Sequence, residues 1–159
     1  MLDAVVRLDV IKGHLRWSIS DLARTSGVGR TLIYYYFGKS KGQLIEAAVK
    51  MIGDEIFGLS EERENLWKNG QMSESISKSR EVLMKAPHLL EFYFHWRHTK
   101  SEMQQRLQGF ETAYLKKLRK LKPDLSQEQC QGLFALLFGL VTVPVLTPQA
   151  LAAGLGILD

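Results

Sequence analysis

The sequence predicts an all-α protein: an N-terminal three-helix unit containing a helix-turn-helix, then a larger helical domain. Three observations predict it. Apolar residues recur at spacings of three and four along nearly the whole chain, with no period-2 run rich in β-branched residues. Glycines in the first forty residues, at positions 13, 27, 29 and 38, stand where helices would stop or turn. The four prolines, Pro87, Pro123, Pro144 and Pro148, all lie in the second half, placed as punctuation between helices.

Taken in order, Leu2, Val5, Val6 and Val10 lie on one helical face, and Gly13 supplies a stop. Ser18 precedes Ile19 with Asp21 three residues later, a capping box with Asp in place of Glu, which starts a helix running to about Thr25. Gly27 and Gly29 flank Val28 in a tight turn, where one residue needs a positive φ that only Gly adopts without a Cβ clash. A third helix covers Arg30 to Phe37 and ends at Gly38. Ser40 can cap a fourth that continues through Leu44, Ala48 and Ile52. Ala23 is small where helices two and three should cross, and Leu22, Val28 and Ile33 fill the wedge between them. This is the layout of a helix-turn-helix unit, which sets a division into residues 1–43 and a helical body, 44–159. Body helices are expected near 44–58, 72–86, 88–99, 102–121, 126–142 and 149–158. The polar stretch 60–71, with Gly70, reads as a loop or an irregular helix end.

Charge points to a partner. The 159-residue chain has a formal net charge of +4 and Lys plus Arg exceed Asp plus Glu by 21 to 17. Residues 1–50 hold eight basic and four acidic side chains, while the remaining 109 residues hold 13 of each. The whole excess therefore sits in the first third, as expected for a basic nucleic-acid-binding head on a neutral body. Cys130 is alone, so no intrachain disulfide can form, and residues 1–17 mix charge and apolarity in a way no signal peptide does. A cytoplasmic location is expected. No nucleophile–base arrangement or phosphate-cradling loop is present, so neither an enzyme nor a cofactor is expected. His95 and His98 are three apart but lack a third ligand for a metal.

The stretch "RTLIYYYFGKSK", residues 30–41, carries the chemistry. Ile33 and Phe37 are four apart and share the inward face. Arg30, Thr31, Tyr34 and Tyr35 then project around the other side. The longer run "SISDLARTSGVGRTLIYYYFGKSKGQLI" resembles the N-terminal domain of the TetR family of transcriptional regulators. The resemblance is carried by Ser18, Leu22, Ala23, Gly27, Val28, Ile33, Tyr34, Tyr36, Phe37, Ser40, Lys41 and Leu44, and it covers about residues 2–52. Gly29 and Leu32 depart from the family's usual Ser and Thr, and one extra residue separates Phe37 from Ser40.

The resemblance implies that the start of the third helix enters the major groove of double-stranded DNA. Arg30 would donate two hydrogen bonds to a guanine, Thr31 and Leu32 would touch thymine methyls, and Tyr35 would reach a base or sugar. Tyr34, Tyr36 and Lys41 would hold phosphates, with the helix start at Ser40. Ser18 and Ser20, at the start of the second helix, form a similar anion site. Gly29 caps the recognition helix without a side chain.

In the body, "GLFALLFGLVTVPVLTPQALAAGLGIL", residues 132–158, contains no charge. Its length would suffice to span a membrane. Two prolines, Gln149 and a polar capped start at Ser126 argue against that, and no membrane partner is expected. A second copy of the chain is the expected cover. The resemblance implies a four-helix interface built from the last two helices, here Gly132, Ala135, Leu136, Gly139, Leu140, Val143, Leu151 and Leu155, with the small residues allowing close approach. "KKLRKLK", residues 116–122, reads as a solvated helix end. Phe92, Trp96 and Met103 share a face, with Tyr93 beside it. Together with Phe110 and Tyr114 they form either a pocket for a small-molecule effector or an ordinary core. The resulting expectation is a homodimeric regulator, a ligand-responsive repressor on a palindromic operator. The alternative is a TetR-like dimer serving mainly as a protein-interaction or ligand-binding module.

Overall fold

Ten α-helices and no strand occur among the described residues of the computed structural model, which describes residues 1–143 and 146–156. For Pro148, Leu151, Ala152 and Leu155 only the backbone is described. The helices are α1 (Leu2–Lys12), α2 (Ile19–Ser26), α3 (Arg30–Phe37), α4 (Lys41–Glu55), α5 (Glu61–Lys68), α6 (Met72–Lys85), α7 (His88–Arg97), α8 (Glu102–Leu121), α9 (Gln127–Thr142) and α10 (Pro148–Gly156). The all-α expectation holds. Packing divides the chain into two compact units, Met1–Ile52 with Ala86–Gln104, and Gly53–Lys85 with Gln105–Asp159. A functional boundary at 43/44 falls inside α4 and inside the first of these units.

In the first unit, the apolar stripe of α1 buries Val5 and Val6 completely, and Gly13 ends the helix at φ 89°. The Ser18–Asp21 capping box forms in full at the start of α2. Its far end is closed by Gly27 in the left-handed region, φ 70°, while Gly29 is extended at φ −60°. One positive-φ glycine therefore makes the turn, as the spacing required. Leu22, Ile33, Leu44, Ala48, Val49, Ile52, Leu89 and Phe92 are fully buried. Helix α7 packs on α1, and its first turn is capped from a distance. The Asp3 carboxylate accepts the His88 backbone N–H at 2.9 Å and pairs with its ring Nδ1 at 2.7 Å. Pro87, at the N-cap position itself, offers no side-chain acceptor.

In the second unit, the expected loop at 60–71 is largely the helix α5. Ser60 caps it by accepting the Arg63 N–H, and Glu61, Glu62 and Glu64 favour its positive end. Its buried residues are Arg63 and Trp67, four apart. An inward face led by an arginine reads as polar in the sequence, which is why apolar periodicity missed it. Trp67 donates its indole N–H to the buried Ser75 hydroxyl of α6 at 2.9 Å. Helix α6 also packs on α9. There Arg80 closes the C-terminal end of α9, donating to the carbonyls of Leu140 at 2.7 Å, Val143 at 2.8 Å and Leu146 at 3.2 Å. Gly154 of α10 lies so close to α9 that a Cβ would sit 2.7 Å from Leu140 Cδ2. The sequence expected α10 to end near residue 158, which lies outside the described residues. Among the described residues, no helix is long and apolar enough to cross a membrane.

Candidate nucleic-acid interface

Helix α3 is eight residues long, and only Ile33 on it is fully buried. Phe37 is half-buried on the same side. Everything else on the helix faces out. Tyr35 is 80% exposed, Tyr36 66%, Leu32 49% and Tyr34 40%, and Arg30 and Thr31 are exposed as well. Four large apolar or aromatic side chains standing in water on one short helix mark a surface with a partner. Tyr35 and Tyr36 hold each other edge-to-face, with centroids 5.1 Å apart. Arg30 Nη1 lies 3.5 Å from the Ser20 hydroxyl, so the starts of α2 and α3 meet at one exposed point. Gly29, also exposed, has no atom within 4 Å of a would-be Cβ. Backbone can therefore approach there without obstruction. Ser20, Gly29, Arg30, Thr31, Leu32, Tyr34, Tyr35 and Tyr36 thus lie on the outside of the α2–α3 pair.

Two residues of the expected set have other commitments. Ser18 spends its polar atoms on Asp21. Its hydroxyl accepts the Asp21 N–H at 3.1 Å and donates to Asp21 Oδ2 at 2.8 Å, and its own N–H donates to the same oxygen at 2.9 Å. A carboxylate already sits at that helix start. Asp21 also meets the Lys12 ammonium at 2.8 Å. Lys12 first, then Ser18, hold the Asp21 carboxyl well below the usual carboxylate range. Ser18 shapes the start of α2 rather than offering a free anion site. Lys41 turns inward: its ammonium donates to the carbonyls of Leu15 and Trp17, the latter at 3.1 Å, and lies 5.8 Å from the Trp17 ring centre. An ammonium has three hydrogens, so one remains for a phosphate.

Sequence reasoning missed the network behind Lys41. Asp9 is fully buried and accepts from Leu15 N at 2.9 Å and Trp17 Nε1 at 3.1 Å, with His14 Nδ1 at 3.0 Å. Leu15 takes a left-handed φ of 59° to reach it. Asp9 from α1 thus holds the donors of the α1–α2 loop, and Lys41 from α4 holds its acceptors. The signal was present: Asp9 stands four residues after Val5, on the apolar face of α1, where only a satisfied carboxylate can stay.

The body residues distribute over both units. Phe92, Tyr93, Trp96 and Met103 belong to the first, where Phe92 and Trp96 are in ring contact at 6.2 Å. Phe110 and Tyr114 belong to the second, in an aromatic cluster centred on the buried Phe57. Phe134 and Phe138 of α9 and Trp67 of α5 complete that cluster. Of the expected interface residues, Gly132, Ala135 and Val143 are exposed, Leu136 and Gly139 are half-buried, and Leu140 is buried. The side chains of Leu151 and Leu155 are outside the described residues.

Residues 2–48 match the model of the bacterial regulatory proteins of the tetR family. Among solved structures, a Clostridium perfringens putative fatty acid metabolism regulator is similar over 99% of this chain and 84% of its own. Its TM-score is 0.58, at 17% sequence identity. No curated protein matches.

Proposed function

We propose that this chain, a TetR family transcriptional regulator by its N-terminal domain, works in the cytoplasm as a homodimeric repressor. Two copies of α3 would read the two halves of a palindromic operator. The observation that carries this reading is the exposure of Arg30, Leu32 and the three tyrosines around a single buried anchor, Ile33. Arg30, standing beside Ser20, is the residue assigned to a guanine O6 and N7. Thr31 and Leu32 are assigned to thymine methyls, and the tyrosine hydroxyls to bases and phosphates. Lys41 combines one phosphate contact with its hold on the α1–α2 loop. The apolar α9 and α10 supply the dimer contact. A small effector in the body releases DNA by favouring the form whose two heads no longer match the operator.

Selection of bound fragments from a random DNA pool tests this. The expected result is an inverted repeat with half-site centres roughly 34 Å apart, about one helical turn or somewhat more. Recovery of no enriched sequence, with a stoichiometric protein partner instead, would favour an interaction module.

A further inference from the structure

Helix α7 lies outside residues 2–48, which carry the family match, yet it packs within the first unit together with α1, α2 and α3. It is fastened at both ends to α1 and the loop that follows it. At its start, Asp3 of α1 takes the His88 backbone N–H and pairs with the His88 ring. Near its end, the Trp96 indole meets the His14 ring edge-on, with centroids 5.4 Å apart and planes at 72°. The two helices therefore run in the same direction, and α7 cannot slide along α1 without breaking one contact or the other.

His14 faces two ways. Its ring touches Trp96, and its Nδ1 lies 3.0 Å from Asp9 Oδ2. The Asp9 carboxylate is fully buried, and its other oxygen takes the Leu15 N–H and the Trp17 indole N–H. The carbonyls of those same two residues receive the Lys41 ammonium. Contacts thus run unbroken from Trp96 through His14, Asp9 and the α1–α2 loop to Lys41. The loop does not hold this shape by itself. Gly13 sits at φ 89° and Leu15 at φ 59°, a region that leucine rarely enters unless tertiary contacts hold it there. Where the loop goes, the two carbonyls that aim Lys41 go with it.

Trp96 is held by rings rather than by side-chain hydrogen bonds. Phe92 lies 6.2 Å away and His95 5.0 Å, and the indole Nε1 is buried with no partner among the described residues. What Trp96 supplies at His14 is therefore shape, which another aromatic ring can replace.

We infer that Trp96 and His14 are positioning residues for DNA binding: α7 holds His14 against Asp9, Asp9 sets the α1–α2 loop, and the loop aims the remaining N–H of Lys41 at a phosphate. The inference rests on the DNA-binding reading above and adds a helix outside the family-matched residues to the parts that set affinity. A phosphate contact carries no sequence information, so the effect falls on all sequences alike and leaves the reading by Arg30 untouched.

The test is binding of DNA selected from a random pool by the full chain, as a function of salt, for variants whose folding is first checked by thermal unfolding. Lys41→Met is expected to weaken binding about tenfold near 0.1 M salt and to lower the slope of log K against log salt by about 0.9, the share of one phosphate. Trp96→Leu removes the ring, and His14→Phe keeps a ring but drops the bond to Asp9. Both are expected to weaken binding about threefold to tenfold and to lower the salt slope in the same direction. Trp96→Phe is expected to bind as the parent does. Adding Trp96→Leu to Lys41→Met should cost nothing further, because its effect has no other outlet. A merely destabilised protein would show a smaller active fraction with the parent's salt slope. Parent-like affinity and slope in folded Trp96→Leu and His14→Phe, or a full additional loss in the double variant, would overturn the inference. A parental slope in Lys41→Met would overturn it as well, while leaving the regulator reading in place. Failure of the parent to select any DNA would overturn the regulator reading itself.

Discussion

At the residue scale, the buried Asp9 shows how a charge can be kept in a core and what it does there. Its carboxylate gathers donors from Leu15, Trp17 and His14 within 3.1 Å. This fixes the loop that delivers Ser18 to the start of α2. Asp9→Asn keeps one oxygen for Leu15 and Trp17 but removes the charge those donors meet and turns an NH2 group towards His14, whose Nδ1 must then accept. The expected cost is about 2–3 kcal/mol of unfolding free energy. Denaturant melts of Asp9→Asn, Trp17→Phe and the double variant check this. If Asp9 and Trp17 act as a pair, the double variant loses less than the sum of the singles. Full additivity would show that the indole contact carries nothing. This network was only half legible. Ser18 and Asp21 form the capping box that the sequence announced, because such a box is a local pattern three residues long. The pairing of Asp9 with Trp17 joins residues eight apart across an irregular loop, and no periodicity reports it.

At the element scale, the helix-turn-helix was readable because its determinants are local. Gly27 gives the left-handed turn, Leu22 and Ile33 the wedge, and the spacing of Ile33 to Phe37 the inward face. Helix α5 was not readable, since its anchors are Arg63 and Trp67, and the partners of Arg63 and Glu62, Glu55 and Lys78, lie on other helices. Aromatic spacing on α7 and α8 singled out Phe92, Trp96, Phe110 and Tyr114, and such spacing carries no information on which compact unit each residue joins.

The end of α9 gives an element-scale prediction. Free carbonyls at a helix C-terminus need donors, and Arg80 satisfies three between Leu140 and Leu146. Arg80→Ala should cost about 1–3 kcal/mol. It should also raise amide exchange through α10, whose packing against α9 depends on that turn. Unchanged exchange over residues 148–156 would show that Arg80 is dispensable for the α9–α10 connection.

At the whole-molecule scale, the head carries all of the net charge, while the body presents exposed small and apolar residues on α9. That asymmetry suits a molecule that meets a polyanion with one part and a copy of itself with another. The proposed dimer would gain affinity, because two half-sites on one duplex turn the second contact into an intramolecular event. Binding should fall with salt, the logarithm of the association constant losing about 0.9 per phosphate contact for each decade of salt. Salt response alone does not distinguish reading a sequence from gripping a backbone.

The most direct measurement is therefore competition binding of the parent and Arg30→Ala against a selected operator and its single-base variants, at fixed salt. The parent is expected to reject one G·C replacement by about tenfold to 150-fold, corresponding to about 1–3 kcal/mol. Arg30→Ala is expected to lose that discrimination while keeping it elsewhere. If Arg30→Ala discriminated at every position as the parent does, α3 would not be reading DNA through its exposed first turn.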